Sequence, residues 1–455
     1  MRNVVPRIIL LAAMGAFVTL AAAAVGQEYR PGEKVVALRD AVLKVGAQNV
    51  ATVRAGESLA VERVQGKWLW VRADQTRGWI QTASVARPGA AAISNRQLGA
   101  GQPIRLAGRR VAIYNLVGDV EIVHGTGDAV EVDVRRGGRD AARLRIATGE
   151  IDGRQTLRVI YPGSVIITPP AVYKGVSAGS RVHQDGTFSK GTAPGGREVV
   201  IVGSGNIGML SMMSPVPTGP RLEAHAQVTV QVPAGGEVEV NLVVGNVRAT
   251  AVQDAAKIDI NSGSGNVTAH DIGGMLVVNS HQGTVDATTI RGGLEIDNAQ
   301  GDVTVRNVGN ALRITSRQGN LQVVQTEGNV EIDHRQGKVS VCDIGGTLAL
   351  KAQQGAIEVT GVQGSVKIEN RQGNITVRDF HDQVDIDTRQ GDVTLHVPPG
   401  LGAKVELETS RGMPEIKMPL TDLTEEKGRV RGILGDGSGR IRVKTNQGQI
   451  RLLPN

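Results

Sequence analysis

A glycine returns every 18 residues through the second half of this chain: Gly265, Gly283, Gly301, Gly319, Gly337, Gly355, Gly373 and Gly391. Self-similarity at a fixed period marks a repeat architecture, in which each unit buries its apolar face only by stacking on a neighbour. With each glycine as position 0, position 2 is Val267, Val285, Val303, Leu321, Val339, Ile357, Ile375 and Val393. Position 11 reads Leu276, Leu294, Leu312, Val330, Leu348, Val366 and Val384, and position 13 reads Val278, Ile296, Ile314, Ile332, Leu350, Ile368 and Ile386. Position 17 is glutamine each time: Gln282, Gln300, Gln318, Gln336, Gln354, Gln372 and Gln390.

Each period holds two short strands with apolar residues on alternate positions. A flat antiparallel meander would leave an apolar face wider than a dozen strands, and no other region is apolar enough to cover it. A coil whose two strands face each other buries positions 2, 4, 11 and 13 between them. Stacked coils set each position over its own copy at about 4.8 Å, which explains the recurrence of one residue type. The pattern predicts an all-β fold: a β-solenoid of 18-residue coils, two strands per coil. Glycine at position 0 suits a corner with positive φ or a close backbone approach. The seven glutamines are expected to bond amide to amide as a structural ladder. The tail rejoins the pattern, because Ile441, Val443, Thr445 and Gln447-Gly448 keep the spacing of positions 11, 13, 15, 17 and 0.

Composition agrees with many short strands. The 455 residues include 60 glycines but only 3 Phe, 4 Tyr and 3 Trp. At the N-terminus, Arg2 and Arg7 precede an apolar run from Ile8 to Val25 that closes on Ala21 to Ala24 and Gly26. This reads as a secretory signal peptide over 1–26, with a retained anchor as the alternative. Export to the periplasm, the cell surface or the medium follows. Cys342 is the single cysteine, so no internal disulfide is expected. The formal charge of +7 falls to +5 without Arg2 and Arg7, which suits an anionic envelope surface without demanding one.

The remaining boundaries are a small β-domain at 34–86, a linker at 87–101 rich in Ala, Pro and Gly, and capping strands at 102–245. Regular repeats then occupy 246–399, and a last coil and cap occupy 400–455. Within the capping region, 163–220 dissolves into Gly, Ser, Pro and Thr and is expected to be a disordered insertion, with Glu198 to Val202 able to pair as a strand. All three tryptophans, Trp68, Trp70 and Trp79, lie in the first β-domain. Lys67-Trp68-Leu69-Trp70-Val71 followed by Gly78-Trp79-Ile80 resembles a bacterial SH3-type domain, a small β-barrel; Val42-Leu43-Lys44 stands where that family's usual Asn-Val-Arg would be. The resemblance implies binding of cell-wall peptide through the tryptophans, which serve otherwise as the core of the barrel.

Residues 98 to 453 resemble the "putative-adhesin" family of bacterial β-strand-repeat proteins of unknown function. The likeness rests on Tyr114-Asn115 with Gly118-Asp119-Val120, the Gln231-Val232-Pro233 turn into Gly245-Asn246-Val247, and the Gly-Asn/Asp-Val-Thr-Val repeats. It implies an envelope-associated solenoid and specifies no receptor.

Chemistry is sparse in the repeats. No two of His270, His281, His334, His381 and His396 occupy one position in adjacent coils, so no metal site and no cofactor are expected. Position 14 stacks Glu369 over Asp387 at about 4.8 Å, near the spacing of a retaining glycosidase. Position 16 carries Arg317, Arg335, Arg371 and Arg389 on the same face. These arginines are expected to neutralise the carboxylates as a solvated lattice; the alternatives are a polyanion-binding stripe and catalysis. The sequence favours a non-enzymatic adhesin-like or structural protein of the cell envelope. Its expected partner is an envelope macromolecule or glycan, with peptidoglycan reached through the SH3-type domain. Peripheral membrane association stays open, and neither nucleic acid nor a small-molecule substrate is expected. A carbohydrate-active β-helix enzyme and a self-assembling scaffold are the alternatives.

Overall fold

The computed structural model describes residues 29–37, 41–45, 48–53, 58–73, 76–86, 103–168, 177–183, 185–188, 196–203 and 221–455. The expected signal peptide and the linker at 87–101 lie outside them. The chain divides into two compact units, residues 1–92 and 93–455.

The larger unit is the β-solenoid. Two long sheets face each other, and each coil gives one strand to each. One sheet runs in parallel through 110–117, 237–244, 257–264, 275–282, 294–300 and onward to 384–390 and 439–447. The other runs through 120–124, 247–252, 267–272, 285–290, 303–308 and onward to 393–397 and 450–454. Position stacks on like position: Leu312 pairs Val330, Ile314 pairs Ile332, and Gln318 pairs Gln336. The tail falls where its spacing places it, with Val384 opposite Ile441 and Gln390 opposite Gln447.

The core lies between the sheets. Positions 2, 4, 11 and 13 are buried throughout the repeats, and two further columns join them. Position 7 supplies Ile272, Ile290, Val308, Thr326, Ile344, Val362 and Phe380. Position 15 supplies a polar column: Ser280, Asn298, Ser316, His334, Asn370 and Thr388. Asn298 and Asn370 donate to the carbonyls of Gly301 and Gly373, at 2.8 and 3.2 Å. The column thus lies just inside the glycine corner and satisfies part of its own polarity there.

The corner explains the glycine period. At position 0, φ runs from +120° to +142° in the eight repeat glycines. A Cβ there would stand 1.8–2.2 Å from the carbonyl oxygen of the equivalent glycine one coil earlier. No other residue fits.

His334 is fully buried in the position-15 column. Burial pushes its imidazole below the ordinary histidine range, against contacts with the Gly337 and Ser316 backbone and the charge of Asp333, which act the other way. The folded protein therefore holds this ring neutral, whereas the unfolded chain takes up its proton near pH 6.5. As pH falls through that value the unfolded state binds more protons, so stability is lost on the acid side. Melting temperatures at pH 7.5 and 5.5 should differ less in His334→Ser, which copies Ser316, than in the parent. Equal acid losses in both would contradict this.

At the N-terminal end both sheets finish in antiparallel strands, and at the C-terminal end one does, while the other finishes on the two-residue parallel strand 415–416; such covers blunt the exposed edges. At one end 154–160 pairs with 110–117 and folds back on 145–151, while 225–232 covers 120–124. Tyr161 locks this cap: in a buried cluster its hydroxyl shares its one proton between Asn115 Oδ1 and the Val117 carbonyl, at 2.8 and 2.7 Å, while Asn115 Nδ2 donates to the Ala226 carbonyl at 2.8 Å. At the other end, strand 403–409 runs beside 439–447 and turns antiparallel into 429–434 and 421–426.

The expected disordered insertion needs correction. Strands 165–168, 177–182, 197–203 and 221–223 form a four-stranded sheet, and Ile166, Val199, Ile201 and Leu222 are buried against the solenoid core. The run Glu198 to Val202 does pair as a strand, with Val200 opposite Val165. Residues 169–176, 189–195 and 204–220 lie outside the described residues.

The smaller unit is a seven-stranded antiparallel sheet, ordered 48–53, 41–45, 76–81, 68–73, 58–65, 34–37 and 85–86. Its core is aliphatic: Val35, Leu43, Leu59, Val61, Leu69, Val71 and Ile80, closed by Tyr29. The tryptophans are not in it. Period-2 alternation puts Leu69 and Val71 inside, so Trp68 and Trp70 stand on the opposite face. Trp68 is 37% exposed. Trp70 and Trp79 are half-buried and meet edge to face, with ring centroids 5.3 Å apart.

Candidate functional site

The solenoid surface consists of columns, each repeating one position along the stack. On the sheet that carries positions 11 to 17, positions 12 and 14 point outward with acids and bases interleaved. Arg313 pairs with Glu331 at 2.6 Å, and Arg442 with Asp385 at 3.2 Å. Glu369 is held by Lys367 at 3.1 Å and more loosely by Lys351 at 3.9 Å.

The expected lattice therefore exists between positions 12 and 14, and the position-16 arginines are not part of it. Among the described residues, Arg317, Arg335, Arg371 and Arg389 make no ion pair and no hydrogen bond, and all four are exposed. Positions 16 and 17 both face solvent beside the glycine corner, and Asp333 and Asp387 at position 14 make no ion pair among the described residues either. Glu369 and Asp387 do sit side by side in register, on the exposed face of the sheet.

The glutamine ladder also differs from expectation. All seven side chains are exposed, and one amide-to-amide bond forms, from Gln300 Nε2 to Gln318 Oε1 at 3.2 Å. The column works through its backbone: the N–H of Gly265 donates to the carbonyl of Gln282, that of Gly283 to Gln300, and that of Gly301 to Gln318, at 2.8–3.0 Å. Apart from the Gln300–Gln318 bond, the side chains are left as free donors and acceptors beside the arginines. Five successive corners thus read Arg317-Gln318, Arg335-Gln336, Gln353-Gln354, Arg371-Gln372 and Arg389-Gln390.

The ladder that does form is two positions further on, just past the glycine, at position 1. Asp119 Oδ1 accepts the N–H of Asn246, Asn246 that of Asn266, Asn266 that of Thr284, Asp302 that of Asn320, and Asn320 that of Lys338, at 2.7–3.2 Å. The Gly-Asn/Asp step of the repeat is its only trace in sequence. Each such bond contributes about 0.5–1.5 kcal/mol.

The opposite corner, positions 6 to 8, has a conformation of its own. Position 6 adopts φ between +49° and +58° at Asp271, Thr289, Asn307, Gln325, Asp343 and Asp379, and Gly361 continues the column at +71°. A left-handed residue there turns its own side chain outward and lets position 7 point into the core. Thr289 is the unusual member, since β-branched residues rarely take this conformation. The sequence carries only the weak signal of Asp and Asn, which tolerate it.

Among the described residues no group of three or more His, Cys, Asp or Glu could hold a metal ion, and no helix is long and apolar enough to cross a membrane.

Residues 203–343 match the Toastrack DUF4097 family, and residues 328–453 match it a second time, together more than half of the chain. The chain belongs to the Toastrack DUF4097 family. The two Toastrack matches overlap inside the regular coils, as a uniform stack with no internal boundary allows. The expected membership in a bacterial β-strand-repeat family is met at this level. A solved structure described as a "putative cell adhesion protein" from Clostridium sporogenes is 8% identical; the alignment covers 78% of the present chain and 100% of that one, with a TM-score of 0.19. No curated protein matches the chain.

Proposed function

We propose that this Toastrack protein is an exported, non-enzymatic component of the cell envelope, adhesin-like or structural, whose solenoid presents a binding surface to an anionic envelope polymer. One observation carries the reading: the four position-16 arginines stay exposed and unpaired on one corner, outside the ion pairs that Arg313 makes with Glu331 and Lys367 with Glu369 on the same sheet. Guanidinium groups free of internal partners meet carboxylate or phosphate with two parallel hydrogen bonds each. Amide donors of the glutamine column extend the same stripe. Five corners span about 19 Å at the strand spacing, so one stretch of a linear polymer reaches them all.

The smaller unit fits the part of an SH3-type cell-wall tether. Its paired Trp70 and Trp79 stand outside the core, where aromatic rings are useful for binding and are not needed for packing. The antiparallel caps, on both sheets at the N-terminal end and on one at the other, count against end-to-end filament growth, which requires bare edges.

The test is retention on a polyanion matrix. The variant Arg317→Gln, Arg335→Gln, Arg371→Gln, Arg389→Gln should keep its fold, because exposed charges with no partner contribute roughly 0–1 kcal/mol each. It should elute at lower salt than the parent, whose own retention should weaken steeply with ionic strength. Equal elution of the two at low salt would remove the polyanion partner.

A further inference from the structure

A second surface lies on the other corner. The left-handed column at position 6 and the position-8 residues beside it enclose a groove of about 660 Å³, within the usual range for ligand sites. Its walls are uneven in a regular way. Position 8 alternates along the stack: Gly273, Arg291, Gly309, Glu327, Gly345, Gln363. A side chain at Gly309 or Gly345 would meet the carbonyl oxygen of the coil before it, at 2.7 or 2.8 Å, so those rungs stay empty. The long residues therefore stand as teeth on every second rung, roughly 9.5 Å apart, with open slots between them. The stack repeats each coil, yet this groove repeats every two coils.

The chemistry of the walls narrows the occupant. Thr289, Asn307 and Gln325 offer hydroxyl and amide groups from the left-handed column, and Gln363 adds an amide from the teeth. Arg291 is already paired with Asp271 at 2.9 Å. Glu327 and Asp343 make no ion pair among the described residues, so the groove leans negative and repels the polyanion suited to the arginine corner. An extended peptide in the polyproline conformation also repeats at about 9.3 Å, three residues of 3.1 Å. Such peptides dock on aromatic-lined grooves, however, and no aromatic side chain lines this one. A polymer of uncharged polyhydroxylated rings linked in an extended chain fits both the polarity and the two-rung period, since alternate rings face the same way.

We infer that the groove of positions 6 to 8 binds an uncharged, extended β-linked glycan, one disaccharide to each pair of coils. The inference rests on the proposal that the solenoid is a presenting surface, and it assigns that surface a second partner on a separate corner.

The experiment titrates the full chain with β-1,4-linked N-acetylglucosamine oligomers of two, four and six units, read by calorimetry in moderate salt. Affinity should rise about tenfold for each added disaccharide, as two further net hydrogen bonds would give. The variant Thr289→Gly, Asn307→Gly, Gln325→Gly keeps the positive φ and hence the fold, and should lose at least that factor for the longest oligomer. Removing two teeth with Glu327→Ser and Gln363→Ser should flatten the dependence on length. Circular dichroism and melting curves establish that each variant is folded. No binding of any oligomer, unchanged binding in the folded glycine variant, or preference for a proline-rich peptide would overturn the inference. Polyanion retention separates the two proposals: if it persists and depends on the arginines while the oligomers fail to bind, the groove assignment alone is lost.

Discussion

Gly337→Ala is expected to destabilise the solenoid by at least about 3 kcal/mol, through backbone strain at a glycine-only conformation and an overlap that cannot relax. The φ of +138° is costly for any residue with a Cβ. That Cβ would stand 1.9 Å from the carbonyl oxygen of Gly319, which is backbone within a continuous sheet and has nowhere to go. Chemical denaturation measures the loss. Because each coil touches only its neighbours, amide exchange should speed up first in the two coils flanking residue 337 and much less at the ends. Gln336→Ala, one residue away but exposed, is the control and should stay within about 0.5 kcal/mol of the parent. A melting temperature for Gly337→Ala within a degree or two of the parent would mean that the corner is not what sets the 18-residue period.

Ile332→Ala should cost about 2–5 kcal/mol by opening a cavity between the sheets. Ile332 is 1% exposed and stacks in register between Ile314 and Leu350, so neither neighbour can move in without leaving its own rung. Ile332→Val should cost about 0.5–1.5 kcal/mol, in proportion to the smaller void. Equal effects of the two substitutions would indicate that the core collapses around the site.

The two strands of each coil were legible in the sequence because stacking forces like residues into one column, so Val, Ile and Leu at positions 2, 11 and 13 read the same in every repeat. The rejoining tail was legible for the same reason. Position 15 was harder, since Ser280, Asn298 and His334 look like surface residues and are buried only because the corner folds over them. The left-handed column was nearly silent: Asp271, Thr289, Gln325 and Gly361 share a φ range but no side-chain chemistry. For the arginines, column and exposure were readable, whereas their pairing was not, because long exposed side chains have several possible partners and one column fixes none of them. The tryptophans misled through their bulk. Aromatic side chains usually fill cores, yet in this small sheet Leu69, Val71 and Ile80 fill it and the rings face out.

The order of rungs differs from the order of residues at both ends of the stack. Strand 439–447 lies between 384–390 and 403–409, although it follows both in the chain. Strand 110–117 likewise has 237–244 as its neighbour, with more than a hundred residues of cap and inserted sheet between them. In the middle, each coil meets the next one only 18 residues later, and loop closure is easy. A chain leaving the ribosome can therefore close its first coil once 237–252 has emerged and add the central coils in order, while the gap between 384–390 and 403–409 waits for residues 439–454. The stack extends from its N-terminal end, and its C-terminal end is sealed last.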